Sequence, residues 1–174
     1  MIMYCSETGK KIEHYSEGIY EDGEWTSWEW INRQTKLRDI KQEFPNADPE
    51  VVEIFEDLVS TAHGYFERTG RYLQIWGELG ELYAEICFGL KRHKPGHEGS
   101  DGRLGNDWIE IKTISPEKRT DVVMVKRAGN FNKILIVKFD EFFEPDCQLI
   151  DRKELGKGKG KFVKARWKTD KHNE

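Results

Sequence analysis

An aspartate stands a hairpin's length ahead of a Glu-x-Lys in the segment Ser100-Asp101-Gly102 followed by Asp107-Trp108-Ile109-Glu110-Ile111-Lys112-Thr113. The Glu-x-Lys lies in a β-branched apolar run. Side chains of a strand alternate between faces, so Glu110 and Lys112 project together while Ile109 and Ile111 point the other way. If Asp101 ends the neighbouring strand, two carboxylates and one ammonium converge. Clustered oxygen ligands suit a hard divalent cation such as Mg²⁺, and such cations assist phosphodiester hydrolysis.

The triplet alone is weak evidence. Three Asp/Glu-x-Lys triplets occur, Asp39-Ile40-Lys41, Glu110-Ile111-Lys112 and Asp151-Arg152-Lys153, about the three that chance would give at this composition. Context separates them. The first falls in a predicted helix, where positions i and i+2 do not share a face. The third has Asp140 upstream but runs into a Lys/Gly tail and has no acid-bearing helix before it. The middle one comes after a helix with glutamates, a loop, an aspartate and a turn, in that order.

Those elements are read from periodicity and breakers. The spacing of Leu37, Ile40 and Phe44 predicts a helix over about Asn32 to Glu43, broken at Pro45-Asn46-Ala47. Asp48-Pro49 starts a second helix with a capping acid and a proline in the first turn, continuing through Val52, Phe55 and Leu58 towards Gly64 or Gly70. A third is predicted from Arg71 to Arg92, with Ile75, Leu79, Leu82, Tyr83, Ile86 and Leu90 on one face. Glu78, Glu81 and Glu85 flank that face with no base three or four positions away. Gly77 and Gly80, each costing about 1 kcal/mol relative to alanine in a helix, mark places where the backbone approaches something closely. A loop over 94–99 leads into the Asp101–Thr113 segment, with a turn near Leu104–Asp107. Strands are predicted over Asp121–Arg127, Lys133–Asp140 and Cys147–Ile150. Residues 1–31 are aromatic and acidic, and Trp25, Trp28 and Trp30 form a short strand or a docking edge.

This succession resembles the PD-(D/E)xK nuclease superfamily, the restriction-endonuclease-like fold, over about residues 70–140. The matching pieces are Gly77-Glu78-Leu79-Gly80-Glu81, Ser100-Asp101-Gly102 and Ile109-Glu110-Ile111-Lys112-Thr113. The resemblance implies an α/β (α+β) fold with a mixed β-sheet core flanked by helices and an N-terminal helical extension. It implies Asp101 and Glu110 as ligands of Mg²⁺ (Mn²⁺ substituting), the main-chain carbonyl of Ile111 as a further ligand, and Lys112 as the catalytic lysine. Glu81 would be the helical acid that completes the metal shell, with Glu78 its nearest competitor; Asp107 competes for the role of Asp101. Where the superfamily usually has a helix after the Glu-x-Lys strand, Val122–Val125 reads as strand.

The chain is expected to hold three regions: an N-terminal aromatic, acidic and helical extension over 1–69, packed on the core or used for dimerisation; a nuclease core over 70–150; and a basic tail over 151–174. The net charge of −4 argues against indiscriminate coating of nucleic acid, yet the charge is uneven, with fourteen acids against six bases in residues 1–60 and nine bases against four acids in 151–174. Lys157, Lys159, Lys161, Lys164, Arg166 and Lys168 in the tail, and Lys126 and Arg127 near a turn, are candidate phosphate contacts. No apolar run reaches the ~20 residues of a membrane span. No signal peptide is evident, and three scattered cysteines indicate neither a disulfide framework nor a zinc site, so a cytoplasmic location is expected. The second helix carries Glu50, Glu53, Glu56 and Asp57, the wrong sign for a helix-turn-helix reader.

The function expected is a metal-dependent DNA endonuclease of restriction or defence type, acting as a homodimer because cutting both strands symmetrically calls for two sites. Alternatives are a junction resolvase, repair nuclease or exonuclease, an RNA-directed nuclease, or a non-catalytic nucleic-acid-binding module on the same fold. His63, His93 and His97 offer a histidine-based alternative, with His93-x-x-x-His97 falling across a proline and a glycine. Three carboxylates gathered without a cation repel, so metal binding is expected to raise the melting temperature.

Overall fold

The computed structural model describes residues 3–94, 96–157 and 159–168. Pro95, within the expected loop, and residues 169–174, the end of the expected tail, lie outside them. The chain divides into two units, Met1–Pro45 and Asn46–Glu174.

The first unit holds two short antiparallel pairs, β1 (Met3–Tyr4) with β2 (Lys11–Ile12) and β3 (Gly18–Glu21) with β4 (Glu24–Ser27), and then α1 (Trp28–Glu43). Trp25 lies in β4, whereas Trp28 and Trp30 open α1. The helix begins before Asn32 because Ser27 caps it, its hydroxyl accepting the Trp30 N–H at 3.3 Å.

The second unit begins with α2 (Pro49–Thr69), started as expected by Asp48, whose carboxylate accepts the Glu50 N–H at 2.9 Å, with Pro49 in the first turn. The division falls at Pro45 rather than at residue 69 because α2 packs with the later elements of the chain. Phe55 lies against Tyr83 and Phe139, and Phe66 against Phe143.

Next comes α3 (Trp76–Phe88), shorter at both ends than its periodicity predicts. It stops at Gly89, whose φ of 63° is left-handed, and the chain turns directly into β5 (Lys91–Arg92). β5 and β6 (Gly102–Leu104) pair antiparallel, as do β6 and β7 (Asp107–Ile114). After β7 comes β8 (Val122–Lys126), a strand as its β-branched run predicts. β7 runs parallel to β9 (Lys133–Phe139), and β9 pairs antiparallel with β10 (Pro145–Asp151). The result is a five-stranded mixed sheet in the order β10-β9-β7-β6-β5. The fold is thus mixed α and β.

Parallel neighbours need a long crossover, usually a helix. Here the link from β7 to β9 contains β8 instead. β8 pairs antiparallel with β11 (Phe162–Arg166), inside the stretch expected to be a tail. One face of this ribbon (Val123, Val125, Val163 and Ala165) joins Ile114, Phe131, Ile134, Ile136 and Ile150 in a buried cluster. The other face of the main sheet is covered by α3, which lies on β7 and β9. β9 is therefore buried on both sides, which its continuous Ile134-Leu135-Ile136-Val137 run requires.

Candidate active site

The hairpin of β6 and β7 carries the central residues. Leu104 faces Asp107, leaving Gly105-Asn106 as a two-residue loop, and Gly105 supplies the positive φ (60°) that such a turn needs. Asp101 sits just before β6, its N–H bonded to the Ile109 carbonyl at 2.8 Å and its carbonyl accepting the His93 N–H at 2.9 Å. The Asp101 carboxylate accepts the Ile111 N–H at 2.6 Å, which locks it against the middle of β7. Glu110 and Lys112 share a face as alternation demands, with Lys112 Nζ 2.7 Å from Glu110 Oε1. The same ammonium donates to the Ile111 carbonyl at 3.0 Å.

Glu81 arrives from α3. The helix lies close on β7 because residue 80 is glycine: a Cβ there would run into Thr113 Oγ1. Gly77, one turn before Glu81, has nothing within 4 Å of where a Cβ would stand and lines the open cleft. The cleft has a volume of about 760 Å³ and is lined by Glu81, Asp101, Ile111, Lys112 and Thr113. Burial, then the negative charges of Asp101 and Glu78, push the Glu81 carboxyl above its usual range. Lys118 and Arg119, from the link after β7, line the same cleft and were not singled out in the sequence. Only the fold reveals that this loop turns back to the cleft.

Glu110 opens onto a neighbouring cleft of about 610 Å³, together with Asp101, Ser100 and Lys126. Asp101 therefore borders both clefts, with Glu81 in one and Glu110 in the other. The three acids are neighbours around Asp101 rather than a single cluster: among the described residues no three His, Cys, Asp or Glu side chains form a ready group of metal ligands. Alternation along β7 contributes to the split, since Thr113 faces α3 while Glu110, like Ile114, turns to the other side; the long Lys112 side chain still reaches the cleft that holds Glu81. Ser100, named in the sequence only as part of Ser100-Asp101-Gly102 and given no role there, is only 4% exposed, and its hydroxyl has no hydrogen-bond partner among the described residues.

The donor set nonetheless fits a hard cation. Every candidate ligand is oxygen, and the Lys112 ammonium already bridges two of them, the Glu110 carboxylate and the Ile111 carbonyl. A positive charge is at home between those atoms, and burial, then the charges of Asp101 and Glu78, hold the Glu81 carboxyl above its usual range, a shift that a cation there would oppose.

The competing acids are engaged elsewhere. Glu78 and Glu85 both bind Arg92, each at 2.7 Å, so the acidic flank of α3 does have a base, fourteen and seven residues along the chain. Asp107 bonds Lys133 at 2.6 Å and accepts from the Asn132 side-chain amide, and Lys133 foremost holds its carboxyl below the usual range. Asp107 thus pins β7 to β9 and does not line either cleft. In the decoy triplet, Arg152–Glu154 form a 3-10 turn, and Arg152 donates to the carbonyls of Gly129, Phe131 and Arg127. Asp140 caps its own turn by accepting the Phe142 and Glu144 N–H groups. His93 and His97 stack face to face with centroids 4.0 Å apart, next to Trp108, an arrangement for packing rather than chelation.

Among the candidate phosphate contacts, Arg127 donates to the Gly156 carbonyl at 3.0 Å and links the ribbon to the segment before it. Lys126 is exposed at the end of β8, and Lys164 and Arg166 are exposed on β11. No described helix is long and apolar enough to cross a membrane. No protein-family model matches the chain, and comparison with curated proteins gives no significant match.

Proposed function

We propose that the chain is a metal-dependent endonuclease of the PD-(D/E)xK type, hydrolysing phosphodiester bonds in DNA. One observation carries the reading. Glu110 and Lys112 are ion-paired on β7, Asp101 accepts the N–H of Ile111 between them, and Asp101 borders both the cleft of Glu110 and the cleft it shares with Lys112 and Glu81. The β10-β9-β7-β6-β5 mixed sheet with α3 across one face supports a restriction-endonuclease-like core.

Asp101, Glu110 and the Ile111 carbonyl would hold Mg²⁺ or Mn²⁺, with Glu81 completing the shell. When bound, the cation supplies Lewis-acid polarisation of the phosphate and a more acidic water. Asp101 is kept in place for this by its bond from the Ile111 N–H. Lys112 gives up its contacts with Glu110 and Ile111, positions the attacking water and offsets the developing negative charge. Lys118 and Arg119, on the wall of the cleft, bind the backbone phosphates that flank the cut. Cutting both strands of a duplex calls for a second site, supplied in this reading by a homodimer.

The test is incubation of the purified chain with supercoiled plasmid, single-stranded DNA and duplex RNA, each with Mg²⁺, Mn²⁺ or EDTA. Nicking or linearisation of plasmid with either metal and none in EDTA is the expected result. RNA cleavage without DNA cleavage would reassign the substrate, and cutting that persists in EDTA would end the metal mechanism.

A further inference from the structure

The β8–β11 ribbon buries one face and leaves the other bare. Its register sets Lys126 opposite Phe162, Met124 opposite Lys164 and Val122 opposite Arg166. Lys126, Lys164 and Arg166 are therefore on the outer face, with two large apolar side chains between them, Met124 at 49% and Phe162 at 41% exposure. Lys161 adds a fourth cation, its ammonium 5.8 Å from the Phe162 ring centroid. Neither strand contains an acid, and among the described residues Lys126, Lys164 and Arg166 have no ion-pair partner. Lys126 also lines the cleft that holds Asp101 and Glu110. The bare face thus begins at the candidate active site and leads away from it.

We propose that this face is a groove-binding surface for duplex DNA, entering the groove beside the phosphate to be cut; the proposal rests on the nuclease reading. Lys126, Lys164 and Arg166 contact phosphates and base edges, and Met124 and Phe162 pack on base edges, including thymine methyl groups. The dimensions agree. Five-residue strands extend about 16 Å, and a two-stranded ribbon fits the major groove, about 12 Å wide. Cations without partners on a face without acids match a polyanion. A second copy of the chain is a poor occupant, because a twofold interface would set these cations against themselves. The continuity with Asp101 and Glu110 through Lys126 favours nucleic acid over an anionic membrane.

The experiment uses the full chain carrying Asp101→Ala, so that DNA is bound without being cut, and measures fluorescence anisotropy with a labelled duplex across a salt series. Adding Lys164→Ala and Arg166→Ala should weaken binding at least tenfold and reduce the slope of log affinity against log salt by about 1 to 2. Adding Met124→Ala and Phe162→Ala instead should leave the slope unchanged while weakening binding several-fold and flattening differences between duplex sequences. Unfolding profiles matching the parent's establish that these exposed changes leave the fold intact. Unchanged affinity and slope in the charge variant would overturn the proposal. So would charge-dependent binding to phosphatidylserine vesicles without binding to duplex. The nuclease reading fails separately: wild type that binds duplex through the ribbon but cuts nothing would refute catalysis alone. Ribbon variants in the uncut background that bind as the parent does, beside a wild type that cuts, would refute the ribbon alone.

Discussion

Glu81 and Asp107 show how two carboxylates near one site come to differ. Glu81 is crowded by burial and by Asp101, and its proton affinity rises. Replacing it with glutamine should raise the melting temperature of the metal-free protein at neutral pH and shrink the further rise on adding Mn²⁺, both read by thermal denaturation. Asp107 is paired with Lys133, and its folded pKa lies below the unfolded value near 3.9. The stability it contributes is present above that unfolded value and lost as pH falls through the folded one. Asp107→Asn should therefore be less stable than wild type at pH 7, with the difference closing below about pH 4 in denaturant titrations, and should retain cleavage. At this scale Asp101, Glu110 and Lys112 were legible, because their relation depends on one hairpin and the period of a strand. The choice between Glu78 and Glu81 was not. What separates them in the structure is Arg92, which pairs with Glu78 only because the chain doubles back after Gly89.

Helix α3 and the β8–β11 ribbon position the two clefts. The Gly80 contact with Thr113 sets how closely α3 approaches β7, so Gly80→Ala should cost about 1 to 3 kcal/mol in urea unfolding. It should also reduce cleavage, because Glu81 moves with the helix. Gly77→Ala, facing open space, should be stable and test whether the cleft needs room there. The glycines announced a close approach, yet only the structure separates the one against β7 from the one beside the cleft. The strands β7, β8 and β9 were readable as apolar β-branched runs. β11 was not, since five residues in a Lys/Gly background carry little pattern and their partner β8 lies some forty residues earlier. Its alternation of exposed Phe162, Lys164 and Arg166 with buried Val163 and Ala165 is a strand signal in retrospect. The third helix was extended too far because Ile75 and Leu90 fit its periodicity; Leu90 is buried, but beyond the helix end.

At the largest scale, acids and bases are sorted unevenly over the surface. The acids of the candidate site gather around Asp101, while bases line the cleft at Lys118 and Arg119 and cover the ribbon at Lys126, Lys164 and Arg166. A net charge of −4 conceals this arrangement. The mixed α and β class was evident in the sequence, whereas the division of the chain was displaced from residue 69 to Pro45 because aromatic contacts of α2 with the sheet side cannot be read from periodicity. In the proposed enzyme, chemistry resides at Asp101, Glu110 and Lys112 rather than at the look-alike Asp151-Arg152-Lys153. The direct measurement is the initial rate of supercoiled-plasmid cleavage in Mg²⁺ by wild type, Asp101→Ala, Lys112→Ala and Asp151→Ala, each verified as folded. A loss of at least a hundredfold in the first two variants, with Asp151→Ala near wild type, is predicted. Cleavage that survives Asp101→Ala and Lys112→Ala, or that disappears only with Asp151→Ala, would contradict it.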